Sequence, residues 1–254
     1  MQYRHAGPAN HAALDAVLVS APGRPTLPVR LTVELLGRAR SHLDGPGGTV
    51  WDPCCGAGVT LTVLGLLAPG ITALVGTDVD PGPLDLARRN LGLLRTGGLS
   101  ARAQELDALS ARHRKPAYAE AAGCARSLVP AGRPAWSVGV ADALDRDRTR
   151  AMLGDLEPDV VLADLPHGRQ TTWATPTPTT TPGADGDPPG TAAFLTAVAS
   201  VLDARAVLVA VDRGRTVPVP AGVRPLERLR VGHRAAMLLR AGDLHRSQQG
   251  VRRQ

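Results

Sequence analysis

Beyond residue 48 short apolar runs alternate with longer stretches of helical character, and the first four runs lead into Asp52, Asp78, Asp142 and Asp164. That alternation is the sequence form of a doubly wound, parallel sheet. Strands are expected at 48–52, 73–78, 136–141, 159–164 and 205–211. Two more runs, 225–231 and 234–241, follow the fifth with too little chain between them for a helix. They read as a closing hairpin that turns at Gly232 and places an antiparallel strand in the sheet. The expected fold class is therefore α/β, with a mostly parallel seven-stranded sheet and a terminal antiparallel hairpin.

Between the strands, Val59 to Leu67 has helical character, and Asp80-Pro81 reads as an N-cap and first helical position opening a helix through Asn90. Residues 99–129 are rich in alanine and arginine and form an expected helical insertion broken at Pro116. The segment 174–190 carries repeated Thr-Pro pairs without periodicity and reads as a loop, either a substrate lid or a surface insertion. The expected organisation is an N-terminal extension with a first helix over 1–47, the principal domain over 48–245 and a basic tail over 246–254.

Composition changes this picture in two respects. With 254 residues, one domain with a substantial core is expected, and since only 2% are aromatic, that core must be built from Leu, Val and Ala. The net charge is +6, and Lys115 is the only lysine, so 28 of 29 basic side chains are arginines. Planar guanidinium groups in excess favour a phosphate-bearing partner. From residue 205 onward eleven arginines face Asp212, Glu227 and Asp243. Cys54, Cys55 and Cys124 form no C-x-x-C pair, which argues against a disulfide framework or a structural zinc site and for a reducing compartment. With no apolar stretch of spanning length, a cytoplasmic protein without membrane or metal, and a monomer, is expected.

The chemistry concentrates in two turns. Asp52-Pro53-Cys54-Cys55-Gly56-Ala57-Gly58 follows the first strand and precedes a helix, where glycine lets backbone approach a ligand closely. The third glycine of the dinucleotide pattern is missing, and Asp52 sits poorly beside a pyrophosphate but suits an ammonium and a sulfonium. S-adenosylmethionine (SAM) is thus favoured over NAD. Asp78, closing the second strand twenty positions beyond Gly58, is placed to accept from both ribose hydroxyls, with Val79 next to it. Asp142, with Ala143, is placed after the third strand to meet the adenine amino group, and Cys54 completes the cofactor side.

The second turn is Asp164-Leu165-Pro166-His167. Parallel strands bring Asp164 to the same rim as Gly56 and Asp78. There the Asp164 carboxylate and the Leu165 carbonyl can accept the N–H hydrogens of a delocalised amine and hold it toward a methyl group, a proximity effect. The pattern [DN]-[PL]-P-[FYWH] marks methyltransferases acting on amino groups; His167, helped by Trp173, would stack on the base. Arg213 and Arg215 follow the fifth strand and are candidate phosphate contacts.

With these residues in view the chain resembles the AviRa-type 23S rRNA guanine-N2 methyltransferases, which confer resistance to orthosomycin antibiotics. The resemblance rests on Tyr3-Arg4-His5-Ala6, on Ser20-Ala21-Pro22-Gly23 with Pro25, and on Pro28-Val29-Arg30-Leu31. It continues through Trp51 to Gly56, Leu61 to Leu67, Asp78-Val79-Asp80-Pro81, Lys115-Pro116 with Tyr118, and Asp159 to Pro166. It implies a Rossmann-like SAM-dependent fold, SAM as cofactor, and 23S rRNA or the large ribosomal subunit as partner. It also implies the guanine N2 as acceptor and a cofactor or RNA contact at Arg30. The chain departs from the family in having His167 where tyrosine is usual and in its longer Thr-Pro loop. The alternatives are methylation of adenine N6 or of a protein glutamine, a nucleotide-dependent oxidoreductase, and a catalytically silent RNA-binding relative.

Overall fold

The computed structural model describes residues 2–7, 12–19, 26–165, 190–214 and 216–251. Pro166, His167, Trp173 and Arg215, with the 174–190 segment up to residue 189, lie outside the described residues. The seven strands are β1 (Thr49–Asp52), β2 (Ala73–Asp78), β3 (Ala135–Val140), β4 (Val160–Asp164), β5 (Val207–Asp212), β6 (Glu227–Val231) and β7 (Arg234–Arg240). They form one sheet in the order β3-β2-β1-β4-β5-β7-β6. Strands β1 to β5 run parallel, whereas β7 is antiparallel to both β5 and β6, with Gly232 at positive φ in the hairpin. This is the expected α/β architecture with its terminal hairpin.

Because side chains alternate across a strand, the apolar runs feed two cores. Val50, Leu74, Val160, Leu162, Val207 and Val209 face one layer; Trp51, Val75, Val161, Ala163, Leu208 and Ala210 face the other. The first layer is covered by α1 (Ala12–Val17), α2 (Val29–Arg40), α3 (Val59–Leu67), α4 (Leu84–Gly92), α5 (Gly98–His113) and α6 (Pro116–Ser127). The second holds α7 (Arg146–Leu153), α8 (Thr191–Ala199) and α9 (Ala241–Val251). The helical insertion resolves into α5 and α6, with Pro116 opening α6, a position where its missing N–H costs nothing.

Two boundaries differ from the sequence expectation. Helix α4 begins at Leu84 and not at Asp80-Pro81, because Pro83 disfavours helical backbone at Gly82 and the chain makes a turn first. Asp80 Oδ1 instead accepts the Gly82 N–H at 2.9 Å. The tail expected to start at 246 is helical through Val251, since α9 continues from the end of β7.

The N-terminal extension is fastened to the sheet layers by buried polar groups. Glu34 on α2 is fully buried and accepts N–H groups from Arg4, His5 and Ala6 at 2.7 to 2.9 Å, and the Arg38 Nε at 2.8 Å. Arg38 passes the charge on to Glu227 of β6 at 2.6 Å and donates to the Gln2 carbonyl at 2.8 Å. Burial alone would raise the Glu34 pKa, but the His5, Arg4 and Ala6 N–H groups and then the Arg38 guanidinium hold it at about 2.

Candidate active site

The sheet order reverses between β1 and β4, which run side by side and continue outward to β2 and β5 respectively. At such a switch point the connections leave in opposite directions and open a crevice beyond the strand ends. Asp52 closes β1, Asp78 closes β2 and Asp164 closes β4, so three carboxylates share one rim around that crevice.

The glycine turn is organised by those carboxylates. Asp52 Oδ1 accepts the Cys54 N–H at 3.0 Å and Asp78 Oδ2 accepts the Gly56 N–H at 2.8 Å, while Asp78 Oδ1 accepts the Asp80 N–H at 3.0 Å. Gly56 and Gly58 take the left-handed conformation, with φ of +50° and +69°, which lets the chain reverse into α3. A Cβ on Gly56 would meet nothing within 4 Å, so the turn borders open space there. A Cβ on Gly58 would lie 3.0 Å from both Cα and Cβ of Ala87, so that glycine exists for the packing of α3 on α4. Cys55 folds back on Gly76 of β2, where a Cβ would come 3.0 Å from its sulfur. Burial, followed by the charges of Asp52 and Asp78, pushes both thiols far above the usual range, so Cys54 and Cys55 are unreactive packing groups.

Asp52 is only 2% exposed. Desolvation pushes its pKa well up, the Cys54 N–H opposes this, and the charges of Asp78 and Asp164 add to it. Among the described residues the one hydrogen bond to its carboxylate is that from the Cys54 N–H, to Oδ1. A buried carboxylate with an oxygen left over and two like charges nearby is costly unless a cation fills the space. This donor-poor, acceptor-rich cradle fits the ammonium and sulfonium of SAM and opposes a pyrophosphate.

The rim also has an apolar side. Val79, Val140 and Leu144 are 46%, 46% and 38% exposed, and Asp78 pairs with Val140 in register, so large apolar side chains surround the ends of β2 and β3. The sequence names Val79 as a candidate; Val140 and Leu144 join it on this rim in the structure. Asp142 stands just past β3 and its Oδ1 accepts the Leu144 N–H at 2.9 Å, while Ala143 is buried beside it.

On the other side of the crevice Asp164 meets a partner that sequence reasoning did not identify. Arg234, the first residue of β7, donates Nη1 to Asp164 Oδ1 at 3.0 Å and Oδ2 at 3.2 Å, and Nη2 to the Thr26 carbonyl at 3.0 Å. Leu165 is buried and its N–H is spent on the Val211 carbonyl at 2.8 Å. Arg213 is exposed where β5 ends on this rim. Arg30, by contrast, is committed within the N-terminal arm: it donates to the Ala6 carbonyl at 3.3 and 3.4 Å and lies 4.0 Å over the Tyr3 ring.

Asn90 is a second residue missed by the sequence reading. It is fully buried on α4 and donates to the Ala57 carbonyl of the turn and to the Val19 carbonyl, each at 2.8 Å, while accepting the Val19 N–H at 2.7 Å. Among the described residues there is no cluster of three or more metal-ligating side chains and no helix long and apolar enough to cross a membrane.

Fold and rim together define a Rossmann-like methyltransferase, a class whose chemistry implies SAM. Residues 1–234 match the family described as rRNA methyltransferase AviRa, and the chain belongs to that family. It is 43% identical to the 23S rRNA (guanine(2535)-N(1))-methyltransferase of Streptomyces viridochromogenes, over 95% of this chain and 97% of that protein. Two solved structures of the rRNA methyltransferase aviRa from the same organism, at 1.5 and 2.4 Å, each align over 97% of this chain and 99% of theirs. Both give a TM-score of 0.84 at 42% identity. Membership is consistent with the expected resistance role. The expected acceptor atom is corrected: the relative's name specifies N1 of guanine, which overturns N2. The two atoms adjoin on one edge of the base and both carry N–H hydrogens, so a carboxylate that suits one suits the other, and the Asp-Leu-Pro-His turn could not separate them.

Proposed function

We propose that this protein transfers a methyl group from SAM to N1 of a guanine in 23S rRNA. The observation that carries the reading is the convergence of Asp52, Asp78 and Asp164 on the rim at the β1–β4 switch point, with Asp52 buried and short of donors. Asp52 would face the ammonium end of SAM, Asp78 the ribose hydroxyls, and Asp142, Ala143 and Val79 the adenine; Gly56, beside Cys54, would let the backbone approach. When bound, SAM supplies an electrophilic methyl carbon activated by its sulfonium.

The remaining work belongs to the chain. N1 of guanine carries a proton that must leave as the new bond forms. Asp164 is an acceptor-only group while ionised and would accept the N1–H and one N2–H, with the Leu165 carbonyl as a further acceptor for the second hydrogen of the N2 amine. Holding the base within reach of the methyl carbon is worth on the order of 7–11 kcal/mol of the barrier in favourable cases. Pro166 would stiffen this turn, with His167 and Trp173 stacking on the base and Arg213 and Arg215 holding phosphates. The segment 1–47 would wall the site, and the enzyme would act as a monomer in the cytoplasm, where rRNA resides.

Mass mapping of 23S rRNA and of large subunits after incubation with isotopically labelled SAM tests this. The expected product is one N1-methylguanine; label confined to adenine, to N2 of guanine or to protein would overturn the assignment.

A further inference from the structure

Among the described residues Arg234 is a cation that meets Asp164, and it does so from a strand that runs against the parallel set. Because β7 is antiparallel to β5, its first residue arrives at the rim where the parallel strands end. Both partners are partly buried, with side-chain exposures of 13% for Arg234 and 16% for Asp164. One guanidinium nitrogen spans both carboxylate oxygens while the other is tied to the Thr26 carbonyl, so the group is held from both sides.

We infer that Arg234 is a positioning residue that selects guanine by keeping Asp164 an ionised, acceptor-only group; the inference rests on the methyl-transfer reading above. The argument is one of complementarity. The charges of Asp78 and Asp164 act on Asp52 across the crevice, and like charge at close range favours a proton on a carboxylate whose balancing cation is removed. An ionised carboxylate accepts two adjacent N–H donors, the pattern that guanine shows at N1 and N2. A protonated carboxyl offers one donor beside one acceptor, the pattern that complements adenine at N1 and N6. The charge of Asp164 therefore reads the base, and Arg234 sets that charge.

In the transfer the N1–CH3 bond forms as the methyl–sulfur bond breaks, with its electron pair staying on sulfur. The N1 proton passes to the Asp164 carboxylate and from there to water. A carboxylate already protonated cannot take it, so Arg234 acts on the rate through Asp164.

The test is the pH dependence of single-turnover methyl transfer to 23S rRNA for the wild type, R234M and R234K, with products mapped by base and atom. R234M should move the acid limb of the profile upward by about one pH unit, a tenfold loss on that limb. It should leave SAM affinity within about twofold of wild type, and R234K should recover most of the profile. RNA with adenine in place of the target base should be rejected less well by R234M than by wild type. An R234M profile that overlays the wild type, or a uniform loss at every pH that R234K does not repair, would overturn the role given to Arg234. Wild-type enzyme that makes no N1-methylguanine would instead overturn the underlying reading and this inference with it, and the wild-type product map separates the two failures.

Discussion

Replacing each turn glycine by alanine separates binding from packing. Both positions have positive φ, so a side chain at either costs about 1–2 kcal/mol of backbone strain. At Gly58 the new methyl would also lie 3.0 Å from Cα and Cβ of Ala87, and α3 would have to part from α4. Overpacking of that kind adds about 1–3 kcal/mol, for a total near 2–5 kcal/mol. At about 2–4 °C per kcal/mol for a chain of this size, Gly58→Ala should melt about 4–20 °C below wild type. At Gly56 no atom lies within 4 Å of the new methyl, so only the strain remains. Gly56→Ala should therefore melt about 2–8 °C lower.

The order reverses in binding. The open space above Gly56 is where the backbone would approach SAM, so a methyl there should weaken SAM at least tenfold, about 1.4 kcal/mol or more. Gly58→Ala should bind with nearly wild-type affinity at temperatures where it stays folded. Thermal melts and titration calorimetry with SAM read both quantities. Wild-type affinity in Gly56→Ala would refute the turn as a cofactor cradle, and an unchanged melt in Gly58→Ala would refute the packing argument.

Asp52→Asn removes a buried charge facing Asp78 and Asp164; it should raise the melting temperature without SAM yet weaken SAM binding at least about tenfold, by calorimetry. Because burial raises the folded pKa of Asp52 above its ordinary 3.8, its cost to stability grows as pH rises through that range, and the variant should flatten this slope. Asp164→Ala should abolish transfer in the labelled-SAM assay while SAM affinity stays near wild type. Glu34 behaves in the opposite sense to Asp52: held at about 2 against 4.5, it contributes about 3 kcal/mol that is complete above pH 4.5 and lost as pH falls toward 2. Glu34→Gln should erase that acid limb in denaturant titrations. Binding to 23S rRNA should weaken steeply with salt, and Arg213→Ala should lower the log–log slope by about 1.

How much of this was legible from the chain depends on whether a residue's role is local. All seven strands fall within two residues of their expected ends, since an apolar run between turn residues needs no tertiary information. The place of Asp52, Asp78 and Asp164 was legible for the same reason: each closes an apolar run, and parallel strands carry their ends to one rim, with Gly56 in the turn that follows the first. Arg234 was not. It is one of eleven arginines in its region, and although the expected strand starts there, only the register that pairs Asp212 with Ala235 brings its guanidinium to Asp164. Asn90 and Glu34 were hidden because a polar residue on an amphipathic helix ordinarily faces water, whereas both are fully buried by partners far away in sequence.

Those three hidden residues have a common effect. Glu34 holds residues 4–6, Asn90 holds Val19 against the glycine turn, and Arg234 holds Thr26 against Asp164. Each spends a polar side chain on backbone of the N-terminal extension, and two of the three also grip a group of the site itself. A buried hydrogen bond that loses one partner leaves the other unsatisfied, at about 1–3 kcal/mol. Loosening the extension would thus leave the Asn90 amide without its Val19 partners and one Arg234 nitrogen without Thr26. The N-terminal extension is thereby tied to the rim by polar side chains, and the match to the family likewise runs from residue 1.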